Sequence, residues 1–213
     1  MNIERIQSIT AYGSHWVLWV LVLASVIALG IVLERTVLLV SSRDNAQALR
    51  RDLRGLLSAQ DLAGARRRLD RSPSFEASIA RAGLDADGVA SAEERILAER
   101  EIARLSLERH LGFLGTLGSN APFVGLLGTV IGIVRAFHRL SESTGQVSAG
   151  LLAEIGEALV ATAVGIIVAL PAIVFFNLFH RTIKARLGQS DALGHEVLAY
   201  LKSDARTARS DAE

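Results

Sequence analysis

The sequence predicts an all-α membrane protein with three transmembrane helices. Three observations predict it. Long apolar runs beginning near His15, Leu111 and Leu151 are almost free of charge, in a chain otherwise dense in Arg, Asp and Glu. Each run is long enough to cross a bilayer, which takes ~20 apolar residues as a helix. The second run carries Gly118, Gly125, Gly128 and Gly132. Glycine costs a soluble helix roughly 1 kcal/mol against alanine, whereas in a membrane helix it lets neighbouring backbones approach closely.

Composition narrows the function classes. The 213 residues are half hydrophobic and carry a formal net charge of only +1, so nothing points to a polyanion such as nucleic acid. The absence of cysteine excludes a disulfide framework, a thiolate metal site and a cysteine nucleophile. His15, His110, His138, His180 and His195 show no ligand spacing, so no metal and no cofactor is expected.

Taken in order, residues 1–14 form a short polar lead. Residues 15–40 form span one, with Trp16 and Trp19 suited to an interfacial belt at its start. The run exceeds the h-region of a signal peptide, about 7–15 residues, so the helix is expected to be retained. Residues 41–110 are hydrophilic and helical in pattern, broken at Ser72-Pro73 and again at a turn from Asp85 to Gly88. Ser91 and Glu94 read as a capping box. The helix it opens carries Arg95–Glu99 and Arg104–Glu108 at i,i+4, Glu101–Arg104 at i,i+3, and an apolar stripe of Ala98, Ile102 and Leu105. No breaker separates it from Leu111, so it is expected to run straight into span two, over 111–137. A connection over 138–153 leads to span three, 154–179. Residues 180–213 read as a continuation of that helix over Gln189 to Lys202 with a frayed tail from Ser203.

Basic residues near the span ends set the orientation. Arg35, Arg43, Arg50, Arg51 and Arg54 follow span one, and Arg181, Lys184 and Arg186 follow span three. Against them stand only Arg5, and Arg135 with Arg139. The N-terminus and the 138–153 connection are therefore expected outside, with the 41–110 segment and the C-terminus cytoplasmic.

Polar chemistry inside the second and third spans is sparse. Thr129 lies about eight residues, or ~12 Å, inside the outer end of span two, and Thr162 lies at a similar depth in span three. The two hydroxyls are thus placed to face one lumen at one level, with Glu157 more than a turn nearer the outer mouth. Bland readings stand beside this one. A membrane threonine ordinarily bonds its own i−4 carbonyl or a neighbouring helix, and Glu157 also suits a carboxylate in interfacial water. The spacings Gly125/Gly128/Gly132 and Ala161/Gly165/Ala169 read as helix-packing contacts, and Pro122 and Pro171 as tolerated kinks. A hydroxyl does not titrate near pH 7; it can only orient water or a carboxylate. With no ionisable residue deep in either span, a proton path through this chain alone would lack its central relay.

The run Leu111-Gly-Phe-Leu-Gly-Thr-Leu-Gly-Ser-Asn-Ala-Pro-Phe-Val-Gly-Leu-Leu-Gly-Thr-Val-Ile-Gly-Ile resembles span two of the MotA/TolQ/ExbB proton channel family. Ile155-Gly-Glu-Ala-Leu-Val-Ala-Thr-Ala-Val-Gly-Ile-Ile-Val-Ala-Leu-Pro-Ala resembles its span three. The three-span plan with a charged cytoplasmic segment is similar to ExbB and TolQ, and the wording is nearest ExbB. Arg135 and Arg139 stand outside the shared pattern and leave the electrostatics of the outer mouth open.

The resemblance implies a non-enzymatic inner-membrane subunit. It would form a homopentamer, with long second and third helices reaching into the cytoplasm, around an ExbD/TolR-like single-span partner that brings an aspartate into the lumen. It implies lumen roles for Thr129, Thr162 and Glu157. Proton flow would then serve TonB and outer-membrane transport in an ExbB-like system, or the cell envelope in a TolQ-like one. A passive scaffold without ion flow, and coupling to sodium, are the alternatives.

Overall fold

A computed structural model of the chain describes residues 15–142 and 149–210, the side chains of 142, 149, 208 and 209 excepted. The lead over 1–14, the middle of the connection at 143–148 and the last three residues lie outside the described residues. Within them the fold is all-helical: α1 His15–Ser41, α2 Ala46–Ser58, α3 Leu62–Asp70, α4 Phe75–Leu84, α5 Val89–Glu108, α6 Leu111–Glu142 and α7 Ala149–Ser210. Three of these, α1, α6 and α7, are long and apolar enough to cross a membrane. The chain divides into two compact units, one of Met1–Leu33 with His110–Leu178 and one of Glu34–Arg109 with Phe179–Glu213.

The first unit holds the apolar helices. Its core joins Val17 and Leu21 of α1 to Ala121 and Ile131 of α6 and Ala169 of α7. Its outer faces are also apolar: Trp19, Leu23, Val26, Phe123, Phe137, Leu159 and Ile167 are all well over a third exposed. A water-soluble protein does not expose contiguous apolar surface on that scale; lipid covers it without cost, because tails are as apolar as leucine.

The second unit is a bundle built by amphipathic helices. Leu49, Leu53 and Leu57 line one face of α2 at helical spacing and pack on Ala65, Leu69, Ala77, Ala80 and Leu84, closed by Leu193 and Val197 of the distal α7. Short helices start where side chains cap them. Asn45 accepts from the Ala48 N–H, Asp61 from the Gly64 N–H and Ser74 from the Ala77 N–H, the contacts being 3.0, 2.7 and 3.3 Å. Inside the bundle Arg186 donates from Nε to Glu76 Oε1 at 2.8 Å and from Nη2 to Glu76 Oε2 at 2.9 Å. It also reaches Ser42 Oγ at 2.8 Å and the Ser42 carbonyl at 2.6 Å. A guanidinium fork suits such a multidentate site, and an ammonium does not.

Several expectations need correction. Helix α5 begins at Val89 with Gly88 as its N-cap and no side-chain cap, so Ser91 and Glu94 do not form the capping box. Gly88 has φ +88, a conformation natural to glycine. The buried face of α5 is Ala92, Ile96, Ala103 and Leu107, whereas Ile102 and Leu105 are exposed. Arg104 does pair with Glu108 at 3.2 Å, but Arg95 donates to the Asp85 carbonyl at 3.4 Å.

The larger correction is that α5 does not continue into span two. The chain breaks at Arg109 and at His110, whose φ is +64. The physical reason is Arg35, 3% exposed, which donates from Nη1 to the carbonyls of Ser106 at 2.8 Å and Leu107 at 3.3 Å. These belong to the last turn of α5, whose carbonyls have no partner within the helix. A guanidinium supplied from α1 satisfies them, and the helix can end without glycine or proline. The third apolar helix, in contrast, continues without interruption through Ser203 to Ser210, where a frayed tail was expected.

Candidate functional site

The hairpin of α6 and α7 is held together by backbone proximity. Gly118 faces Ile173, Gly125 faces Ala161 and Gly165, Gly128 faces Ala161, and Gly132 faces Ala158, as antiparallel helices require. A Cβ at Gly125 would lie 2.7 Å from the Ala161 carbonyl oxygen, and one at Gly165 would lie 2.6 Å from the Ala121 carbonyl oxygen. Both distances are too short for any side chain, so glycine is required at these two positions by the approach itself. Ala161 is fully buried and Ala169 is 4% exposed, in the cluster with Val17 and Leu21. Pro122 and Pro171 both lie inside continuous helices.

That register brings Thr129 and Thr162 into direct hydroxyl contact. The pairing is reciprocal. Thr129 Oγ1 lies 3.2 Å from the carbonyl of Ala158, four residues before Thr162, and Thr162 Oγ1 lies 3.2 Å from the carbonyl of Gly125, four residues before Thr129. Thr129 Oγ1 is also 3.3 Å from its own i−4 carbonyl at Gly125. Each hydroxyl has one proton to donate. The pair can therefore run Thr162 to Thr129 to a carbonyl, or Thr129 to Thr162 to the Gly125 carbonyl. The two hydroxyls form a short, reversible hydrogen-bond chain, with Thr129 buried at 9% exposure.

The other polar groups of α6 are used locally. Ser119 Oγ donates to the Gly115 carbonyl at 2.9 Å and Asn120 Nδ2 to the Thr116 carbonyl at 2.8 Å. From Leu111 to Val134 and from Ala158 to Phe179 no residue is ionisable. Charge gathers instead where the described part of α7 begins. Glu157 Oε1 lies 3.1 Å from Nδ1 of His15 on α1, and Glu154 Oε1 lies 2.5 Å from Nη1 of Arg139 on α6. The second oxygen of Glu154 is buried without a hydrogen bond. Two carboxylates one turn apart are thus each matched by a basic group from a different helix.

His15, Glu154 and Arg139 were not recognised as site residues from the sequence. The i,i+3 spacing of Glu154 and Glu157 was the available signal, because residues so spaced share a helix face. Their basic partners are set by which helices pack together, which that spacing does not encode. Among the described residues, no group of three or more His, Asp or Glu could hold a metal ion.

The chain is similar to known proteins over much of its length. The MotA/TolQ/ExbB proton channel family matches residues 71–191. The biopolymer transport protein ExbB of Neisseria meningitidis is 31% identical over 191 residues, 83% of this chain and 86% of that protein. The Tol-Pal system protein TolQ of Pseudomonas aeruginosa is 37% identical over 129 residues, 59% of this chain and 54% of its own. An ExbB-like biopolymer transport protein of Helicobacter pylori is 38% identical over 99 residues, 46% of this chain. The match spans 66% of the Helicobacter protein, just under two thirds of its length.

Proposed function

Because the chain belongs to the MotA/TolQ/ExbB proton channel family, we propose that it is the channel and stator subunit of an inner-membrane motor that couples the proton motive force to TonB-dependent outer-membrane transport. The observation that carries this reading is the Thr129–Thr162 hydroxyl chain in spans that hold no deep titratable group. Two hydroxyls can orient a carboxylate or water and pass hydrogen-bond direction along, but they cannot store a proton. The titrating residue is supplied by a partner, an aspartate on an ExbD/TolR-like single-span helix. Five copies of this chain surround that helix, and cycles of protonation turn one component against the other. Glu157 shapes the field at the outer mouth. The N-terminus is periplasmic and the C-terminus cytoplasmic, in keeping with the arginines that follow span one. The chain converts no substrate into a product; only protons pass through it. Its remaining partners are the lipid bilayer and a TonB-like transducer.

The likeness to TolQ over 129 residues favours one second reading, a subunit that serves envelope maintenance with the same proton chemistry. Energised transport in cells carrying Thr162→Val, Thr162→Ser or Glu157→Ala tests the channel. Thr162→Val and Glu157→Ala are expected to abolish it while the complex still assembles, and Thr162→Ser to retain most of it. Undiminished transport in both of the first two variants would leave a scaffold, without ion flow, as the better account. Replacing the proton gradient by a sodium gradient in the same cells decides the coupling ion, with loss of transport expected.

A further inference from the structure

The pair at the start of span three has chemistry that the threonines lack. His15 Nδ1 faces Glu157 Oε1 at 3.1 Å, and two lone pairs cannot meet at that distance without repulsion, so a proton lies between them. The imidazole side chain is 66% exposed, while the Glu157 side chain is only 33% exposed. With Nδ1 engaged, Nε2 is the nitrogen left to exchange protons with water. Imidazole can take a proton on one ring nitrogen while giving up the proton on the other, which a lone hydroxyl cannot do. Among the described side chains, the charged or titratable groups on the elements packed nearby are Glu154 and Glu157 on α7, and Arg135, His138 and Arg139 near the end of α6. Arg139 is held by Glu154, so the two basic groups divide the two carboxylates between them.

The geometry points to His15 as a proton-collecting relay that loads Glu157, an inference that rests on the channel reading above. A proton from the outer water bonds to Nε2. The Nδ1–H bond breaks, and that proton passes to Glu157 Oε1. The products are a neutral imidazole carrying its proton on Nε2 and a neutral Glu157 carboxylic acid. Once Glu157 releases its proton inward, rotation of the exposed ring returns an N–H to the carboxylate. His15 thereby gives the chain a carrier at the mouth, where the hydroxyls deeper in have none.

The test uses the complex isolated from its native membranes through a tag on this chain and reconstituted into vesicles with a trapped pH dye. Wild type is expected to conduct protons with a flux that depends on the pH of the outer solution. His15→Gln should lower inward flux about tenfold and change that pH profile. This is below the ~10²–10⁴ typical of positioned acid–base groups, because water can still reach Glu157 directly. Added free imidazole should restore flux to His15→Gln and leave wild type unchanged. An unchanged pH profile in His15→Gln overturns the relay while the channel reading stands, and a wild-type complex without proton flux overturns the channel reading itself. If His15→Gln does not assemble, nitrogen NMR of labelled wild-type chain decides. Ring-nitrogen signals that shift on Glu157→Gln support the relay, and signals that Glu157→Gln leaves unchanged overturn it.

Discussion

Replacing Gly132 by alanine tests whether the hairpin register controls the threonine pair. The new Cβ would collide with the Ala158 Cβ and lie 3.3 Å from the Ala158 Cα. Carbon pairs prefer about 3.5–4.0 Å, so the helices must part locally or a side chain must leave its rotamer. Overpacking of this kind costs about 1–3 kcal/mol. The colliding atom belongs to a side chain, so Ala158→Gly removes it and the double variant should regain most of the loss. At Gly125 the outcome should differ. There the added Cβ meets the Ala161 carbonyl oxygen at 2.7 Å and the Thr162 Cα at 3.0 Å, which are backbone atoms. Gly125→Ala should therefore cost as much or more and gain nothing from Ala161→Gly. It should also weaken the Thr162 bond to the Gly125 carbonyl, now 3.2 Å. Gly156→Ala, with nothing within 4 Å of the added carbon, serves as the neutral control. Reversible unfolding in mixed micelles, followed through Trp16 and Trp19, reads the four free energies of each cycle. Equal rescue at both sites, or no cost at Gly132, would refute the close approach of α6 and α7.

Arg186→Met should destabilise the second unit by about 3–5 kcal/mol, because it strands the Glu76 carboxylate, whose side chain is 5% exposed. Arg186→Met with Glu76→Leu should recover most but not all of this, since the Ser42 carbonyl loses its 2.6 Å donor; denaturant titration of both variants checks it. Asp44 is held below the ordinary carboxylate range chiefly by the Ser72 hydroxyl, and further by the Asn45 N–H and Arg68, against the opposing effect of burial. Its folded value is depressed, so its stabilising contribution is complete above the unfolded value of about 3.9 and is lost as pH falls through the folded value. Ser72→Ala should move the Asp44 carboxyl titration, read by carbon NMR, toward higher pH, and a midpoint that stays in place would contradict the assignment.

Much of the fold is legible in residue order because its causes are local. The apolar runs from His15, Leu111 and Leu151 are long enough to span lipid, and the break at Ser72-Pro73 and the turn from Asp85 to Gly88 are marked by their own residues. The end of α5 was not legible. Its cap is Arg35, 71 residues earlier in the chain, so nothing near Arg109 signals a stop. The exposed stripe of Ile102 and Leu105 misled for a related reason: α5 is apolar on two faces, and only packing selects the one that is buried.

The sequence by itself determined that this chain enters a membrane, that its spans lack a deep titratable group, and that two threonines stand at comparable depth. Hydropathy, charge and rise per residue are properties of one helix, and one helix is enough to read them. The tertiary structure decided that each threonine reaches the carbonyl four residues before the other, that Glu157 meets His15, and that Arg139 is matched to Glu154. Those facts depend on the register and rotation of one helix against another. Glycines at 125 and 165 set that register by permitting backbone contact, and a contact requires both surfaces to be known.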